Sequence, residues 1–168
     1  MRHLYVHIPF CHRICPYCSF YKHTPGGTDM AAFVEAGLAG ARFPPPGVPP
    51  RRAEYIAKAG ADRILRSVFF GGGTPTALSG HHLERLLAGL HEVLDLSEVE
   101  EFCLEANPRT VTPAKALVMR RAGVSRVSLG VQAWDEATLK TLGRDHSPAQ
   151  AEETFAIRRE AGFPGLNV

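Results

Sequence analysis

Three cysteines near the start, Cys11, Cys15 and Cys18, stand in the run Tyr5-Val6-His7-Ile8-Pro9-Phe10-Cys11-His12-Arg13-Ile14-Cys15-Pro16-Tyr17-Cys18. The spacing is Cys-x3-Cys-x2-Cys. Three thiolates on one short loop can each take one iron of a cubane [4Fe–4S] cluster and leave the fourth iron without a protein ligand. An iron with an open position can bind and activate a small molecule, so the spacing points to chemistry at iron. Two other readings use the same residues. Cys15-Pro16-Tyr17-Cys18 is a dithiol of the kind found in thiol–disulfide oxidoreductases, although it leaves Cys11 without a task. The three cysteines with His12 or His7 would also complete a structural zinc site. Cys103, alone in Glu101-Phe102-Cys103-Leu104, reads as a small core residue.

Further along, Gly71-Gly72-Gly73-Thr74-Pro75-Thr76 follows a short apolar run. Glycines there let a ligand approach the backbone, whose N–H and C=O groups suit a small polar molecule such as an amino acid. The Gly-Lys-Ser/Thr ending of a nucleotide phosphate loop is missing, and a tight turn is the plainer alternative. Glu105, in Leu104-Glu105-Ala106-Asn107-Pro108, can accept hydrogen bonds from ribose hydroxyls or can be a solvated loop acid. Gln132 offers a neutral donor and acceptor, and Arg144 a planar fork for a carboxylate. Each of these two, taken alone, reads more often as a surface or packing residue. His81 and His82 fall at a helix start and His91 on a helix surface. His7, His12, His23 and His146 stay ambiguous, and no histidine pair has zinc spacing.

The elements that would position these residues can be traced from pattern. Leu4–Pro9 reads as a first strand, followed at once by the cysteine loop. Met30–Ala41 is a weak helix, and five prolines and a glycine over 43–50 make an extended connector. Residues 51–65 are helical in composition. Ser67–Phe70 is a second strand, cut off by the glycines. Leu83, Leu86, Leu87, Leu90 and Leu94 keep helical spacing behind Ser79 as N-cap. Glu101–Ala106 is a third strand, and Thr112-Pro113 opens a helix to Arg121 that Gly123 ends. Arg126–Gln132 is a fourth strand, and Ala149–Ala161 a helix closed by Gly162. Residues 162–168 read as a turn and the start of a fifth strand. Strands alternating with helices predict an α/β fold with a parallel sheet and right-handed crossovers. Functional residues then collect at the carboxyl ends of the strands, where the cysteines, the glycine run, Glu105 and Gln132 all fall.

Composition sets the frame. The chain has 168 residues, 45% hydrophobic and 21% charged, with a formal net charge of +2. That is the balance of a soluble globular protein with one core. No basic block suggests nucleic acid. No apolar run approaches the roughly 20 residues of a membrane span, and the start is too short in its apolar part for a secretory signal. Clustered cysteines without a disulfide framework fit the cytoplasm.

With these residues in hand, the chain resembles the radical S-adenosylmethionine (SAM) superfamily. It looks most like the branch of oxygen-independent coproporphyrinogen III oxidases and their relatives, the HemW-type haem chaperones. Tyr5 to Cys18, Phe69 to Thr76, Glu105 to Pro108 and Val124 to Arg144 carry the likeness. The resemblance implies a partial (β/α)6 barrel with about four βα units and an open sheet. It implies a [4Fe–4S] cluster on Cys11, Cys15 and Cys18, with SAM chelating the fourth iron. Gly72, Gly73 and Thr74 would line its methionyl part, Tyr5 would lie near it, Glu105 would hold the ribose, and Gln132 and Arg144 would complete the pocket. Active members cleave SAM by one electron to methionine and a radical that abstracts hydrogen.

The true oxidases carry a further cysteine two residues after the third ligand, where this chain has Phe20, as the haem chaperones do. The resemblance therefore favours a protein that binds haem and passes it to an acceptor protein, drawing electrons from a flavodoxin- or ferredoxin-type donor. A porphyrinogen decarboxylase is the alternative. Residues 24–63 are longer and richer in Pro and Gly than the family pattern. The sequence is also expected to be a truncated core domain over 1–168, without the later barrel strands and the C-terminal domain.

Overall fold

The computed structural model describes residues 3–41 and 65–168. The proline-rich connector at 43–50, and all but the last residue of the helix expected over 51–65, lie outside them. In chain order the elements are β1 (His3–Ile8), α1 (Met30–Ala41), β2 (Ser67–Gly72), α2 (Gly80–Val93), β3 (Glu101–Ala106), α3 (Pro113–Arg121), β4 (Arg126–Leu129), α4 (Glu136–Thr141), α5 (Pro148–Glu160) and β5 (Gly165–Asn167). Single 3-10 turns at Pro75–Ala77 and Pro108–Thr110 follow β2 and β3.

The five strands form one parallel sheet in the order β1-β2-β3-β4-β5. Right-handed crossovers that always step the same way put the helices on one face, the winding of a barrel that has not closed. Alternation along each strand follows. Val68 and Phe70, Phe102 and Leu104, and Val127 and Leu129 are buried against Leu83, Leu86, Leu87 and Leu90 of α2 and Ala116 and Met119 of α3. The opposite face carries Tyr5, Phe69, Cys103 and Arg126 in one register row and Glu105 beside Ser128 in another. That face is therefore free to hold polar and ionisable groups.

Local chemistry sets the helix starts. Ser79, Thr112, Asp135 and Ser147 each accept a backbone N–H three residues on, and Pro113 and Pro148 occupy first helical positions. Gly123 and Gly162 follow their helices at φ +85° and +73°. Two strands differ from their sequence reading. β2 runs on through Gly71 and Gly72 because those residues stay in register with His7 and Ile8. β4 stops at Leu129, where the chain turns so that Val131 N–H donates to the Leu129 carbonyl at 2.9 Å, and Gln132 beyond it takes φ +71°, outside the β region.

Lys115 ties the loops after β2 and β3 together. Its Nζ donates to the carbonyls of Thr76 and Thr110 at 2.7 and 3.1 Å, and burial pulls its pKa down. Replacing it by methionine strands two carbonyls without a donor but removes a partly buried charge. The expected net loss is about 1 kcal/mol, read from the shift in urea midpoint at unchanged slope. A midpoint equal to the parent's would show that the clamp contributes nothing.

Candidate functional site

The cysteine loop is closed at its base. Cys11 N–H donates to the His23 carbonyl at 3.0 Å and His23 N–H to the Pro9 carbonyl at 2.8 Å. The buried Phe10 ring packs edge-on to His23 and Phe33. His7 anchors the far side: its Nε2 donates to the Tyr21 carbonyl and its Nδ1 pairs with the Tyr5 hydroxyl, both at 3.0 Å. Gly72 makes room for that ring, because a Cβ there would stand 2.4 Å from it.

The glycine run is stitched to the same base. Gly73 N–H reaches the Ile8 carbonyl at 2.8 Å and Thr74 N–H the Phe10 carbonyl at 2.7 Å. Against the rise that burial causes, the Gly72 N–H pulls the Glu105 carboxyl pKa down. The Gly73 and Thr74 amides are thus committed inside the protein. What the run can offer a ligand is carbonyl oxygens and the Thr74 hydroxyl, which suits an ammonium better than an anion.

These parts meet in one cavity of about 470 Å³ at the carboxyl edge of the sheet. Cys11, Cys15, Cys18, Gly72, Gly73, Thr74, Glu105, Gln132 and Arg144 all line it, as do Tyr17, Phe20 and Asn107. Of the residues that the resemblance assigns to the cluster and SAM, Tyr5 alone is not on its wall. It is 55% exposed on the open face of the sheet, stacked on Phe69. All four cysteines are free thiols, and Cys103 is buried. Burial raises the Cys11 thiol above its ordinary pKa, against a pull down from the Thr74 hydroxyl 3.6 Å from its sulfur. Burial likewise raises the Glu105 carboxyl, with the Gly72 N–H acting in the opposite sense.

Arg144 enters from the loop after α4. Its NH2 donates to the Gly130 carbonyl at 2.5 Å, and its NH1 lies 3.4 Å from both the Cys15 sulfur and the Tyr17 hydroxyl. Its Nε is buried without a partner. α4 escapes sequence reading because six residues are too few to show a period; Asp135, whose carboxylate accepts Thr138 N–H, is the signal that could have found it. His146 is buried, with neither ring nitrogen hydrogen-bonded.

Among the described residues no three His, Cys, Asp or Glu side chains are grouped to hold one metal ion. A lone ion needs its ligands in one sphere, whereas a cubane takes each thiolate on a different iron. Three free thiols on one wall, glycine carbonyls on the next and an orphaned guanidinium nitrogen between them fit a cluster with a charged amino-acid ligand.

Fold and site together define a singly wound, parallel α/β half-barrel with a cysteine-lined cofactor cavity at its carboxyl edge. The chain belongs to the radical SAM superfamily, whose family model matches residues 5–168. It is 36% identical over 98% of its length to the heme chaperone HemW of Lactococcus lactis and 34% identical, also over 98%, to HemW of Escherichia coli. It is 35% identical over 96% to the mitochondrial radical S-adenosyl methionine domain-containing protein 1 of Bos taurus. It covers 39%, 41% and 34% of those proteins, so it spans about two fifths or less of the relatives' length. Among solved structures, the radical SAM enzyme coproporphyrinogen III oxidase (HemN) of Escherichia coli superposes with a TM-score of 0.78 at 26% identity. That match covers 98% of this chain and 36% of that one. The partial parallel barrel expected from the sequence is thus the fold found. Among the described residues no helix is long and apolar enough to cross a membrane.

Proposed function

We propose that Cys11, Cys15 and Cys18 hold a [4Fe–4S] cluster, that SAM lies against Gly72, Gly73, Thr74, Glu105, Gln132 and Arg144, and that the chain carries the cofactor core of a haem chaperone. The observation that supports this reading is the meeting of all these residues on one cavity wall. When bound, the cluster and SAM supply one-electron cleavage of a carbon–sulfur bond. The protein's part is to hold and orient. Carbonyls of the glycine run would accept from the ligand's ammonium, and the Arg144 guanidinium, whose NH2 and NH1 already face Gly130 and Cys15, would set its positive charge beside the carboxylate. Glu105 accepts from ribose hydroxyls and Gln132 offers a neutral donor or acceptor. Tyr5, stacked on Phe69 on the open face, stands outside the cavity wall. The free thiols suit a reducing compartment such as the cytoplasm.

Transfer of haem to an acceptor protein is proposed from the likeness to HemW and from Phe20, 69% exposed on the cavity rim where the oxidases have a cysteine. The likeness to a coproporphyrinogen oxidase structure favours the second reading, oxidative decarboxylation of a porphyrinogen. Anaerobic reconstitution, with EPR of the reduced chain before and after SAM, tests the cofactor assignment. A four-iron signal that SAM leaves unchanged would sink the SAM assignment, and the absence of any four-iron signal the cluster assignment. In a protein of the relatives' full length that carries this core, haem retained through gel filtration with no turnover of coproporphyrinogen III is expected; turnover without haem retention would favour the oxidase.

A further inference from the structure

Two of the three cysteine sulfurs lie within hydrogen-bond reach of a polar group from a distant part of the chain. The Thr74 hydroxyl, just past β2, lies 3.6 Å from Cys11 Sγ, and Arg144 NH1 lies 3.4 Å from Cys15 Sγ. Neither donor is loosely placed. Thr74 is fixed by its own N–H on the Phe10 carbonyl at 2.7 Å. Arg144 is held by NH2 on the Gly130 carbonyl at 2.5 Å, and its backbone N–H reaches the Leu139 carbonyl at 2.9 Å.

Resting on the cluster assignment above, we propose that Thr74 and Arg144 set the reduction potential of the cluster by donating hydrogen bonds to its cysteine ligands. The physics fixes the direction. On reduction the cluster takes one electron from the external reductant, its net charge falls by one, and no bond breaks. The added negative charge spreads onto the sulfurs. A donor already aimed at those sulfurs stabilises the reduced form more than the oxidised form and raises the potential. The guanidinium contributes a full positive charge as well as its N–H, so its effect exceeds that of the neutral hydroxyl. Both residues are positioning residues in this role, acting through Cys11 and Cys15.

The test is an EPR-monitored redox titration of the reconstituted chain without SAM, so that weakened ligand binding cannot enter. The variants are Arg144→Gln, Arg144→Lys and Thr74→Val, each with its iron and sulfide counted. At the ambient potential that half-reduces the parent, the ratio of reduced to oxidised cluster is expected to fall roughly tenfold in Arg144→Gln, about 59 mV for one electron. Thr74→Val, which keeps shape and loses the hydroxyl, is expected to fall about threefold, about 28 mV on the same scale. Arg144→Lys, which keeps the charge, is expected to lie between the parent and Arg144→Gln. Variants with a full iron complement that titrate with the parent overturn the proposal. If the Arg144 variants lose the cluster, Thr74→Val decides alone. A parent chain that assembles no four-iron cluster overturns the cofactor assignment, and this proposal with it.

Discussion

Gly73→Ala is expected to leave a folded chain that cannot keep its cluster. A Cβ on Gly73 would stand 2.7 Å from the Phe10 carbonyl oxygen, 2.8 Å from the Pro9 carbonyl carbon and 2.9 Å from the Ile8 oxygen. All three are backbone atoms, so no side chain can swing aside. The methyl must part the end of β2 from the base of the cysteine loop, and both stitching bonds, Gly73 N–H to Ile8 and Thr74 N–H to Phe10, lengthen together. Overpacking of this kind costs about 1–3 kcal/mol. The functional cost is larger, because Phe10 leads directly into Cys11 and Thr74 is the donor facing that sulfur. Iron per chain after reconstitution should fall to background, and SAM binding that depends on the cluster should be lost with it. Gly123→Ala is the control. That glycine sits at φ +85° between α3 and β4, with no atom within 4 Å of its absent Cβ. The strain costs about 1–2 kcal/mol, but it acts at the opposite, amino-terminal edge of the sheet. Comparable destabilisation with the cluster retained in Gly123→Ala and lost in Gly73→Ala is the expected pair. A Gly73→Ala chain with full iron would show that the stitch is dispensable.

What could be read from the sequence, and what could not, divides by range. Ser79 as a cap, the leucine spacing of α2, the strand over Glu101–Ala106 and the edge on which the cysteines, glycines, Glu105 and Gln132 meet are all consequences of local pattern and parallel winding. The three corrections concern backbone geometry that composition does not encode. Gly71 and Gly72 read as a break but remain in the ladder, because pairing with β1 outweighs their freedom. Gln132 reads as the last residue of a strand but adopts φ +71°, turning its side chain's attachment at the mouth of the cavity. The Gly73 and Thr74 amides read as ligand donors but are spent on Ile8 and Phe10. The contact of Arg144 with Cys15 joins residues 129 positions apart, and no periodicity or motif spacing reports it.

Glu105→Gln should move stability and ligand binding in opposite directions. The carboxylate stands on the open face of β3, opposite Ser128, with Gly71 leaving room for it: a Cβ there would be 3.0 Å from its oxygen. Burial raises its pKa, and the Gly72 N–H recovers only part of that shift. For an acid whose folded pKa lies above its unfolded one, the contribution to stability is most favourable below the unfolded pKa. It is lost as pH rises through the folded value, because the native state then holds a desolvated charge. The neutral amide removes that burden. Glu105→Gln is therefore expected to melt above the parent at neutral pH, with the gap closing as pH falls through the carboxylate range and the parent's own carboxyl becomes neutral.

Binding shows the converse. A carboxylate accepts from two ribose hydroxyls at once, and hydrogen bonds to a charged acceptor are worth about 1.5–3 kcal/mol, so the amide should weaken SAM roughly 10- to 150-fold. The parent's own affinity should decline on acidification, beginning above the ordinary carboxylate range because the pKa is raised, while that of the variant stays flat over the same interval. Calorimetric SAM titrations of the reconstituted chains across that range, paired with thermal melts, read both effects. A variant that binds as tightly as the parent, or a parent whose affinity ignores pH, would remove Glu105 from the ligand. A variant that melts below the parent at neutral pH would show instead that the charge is stabilised by its surroundings, and that its burial serves the fold.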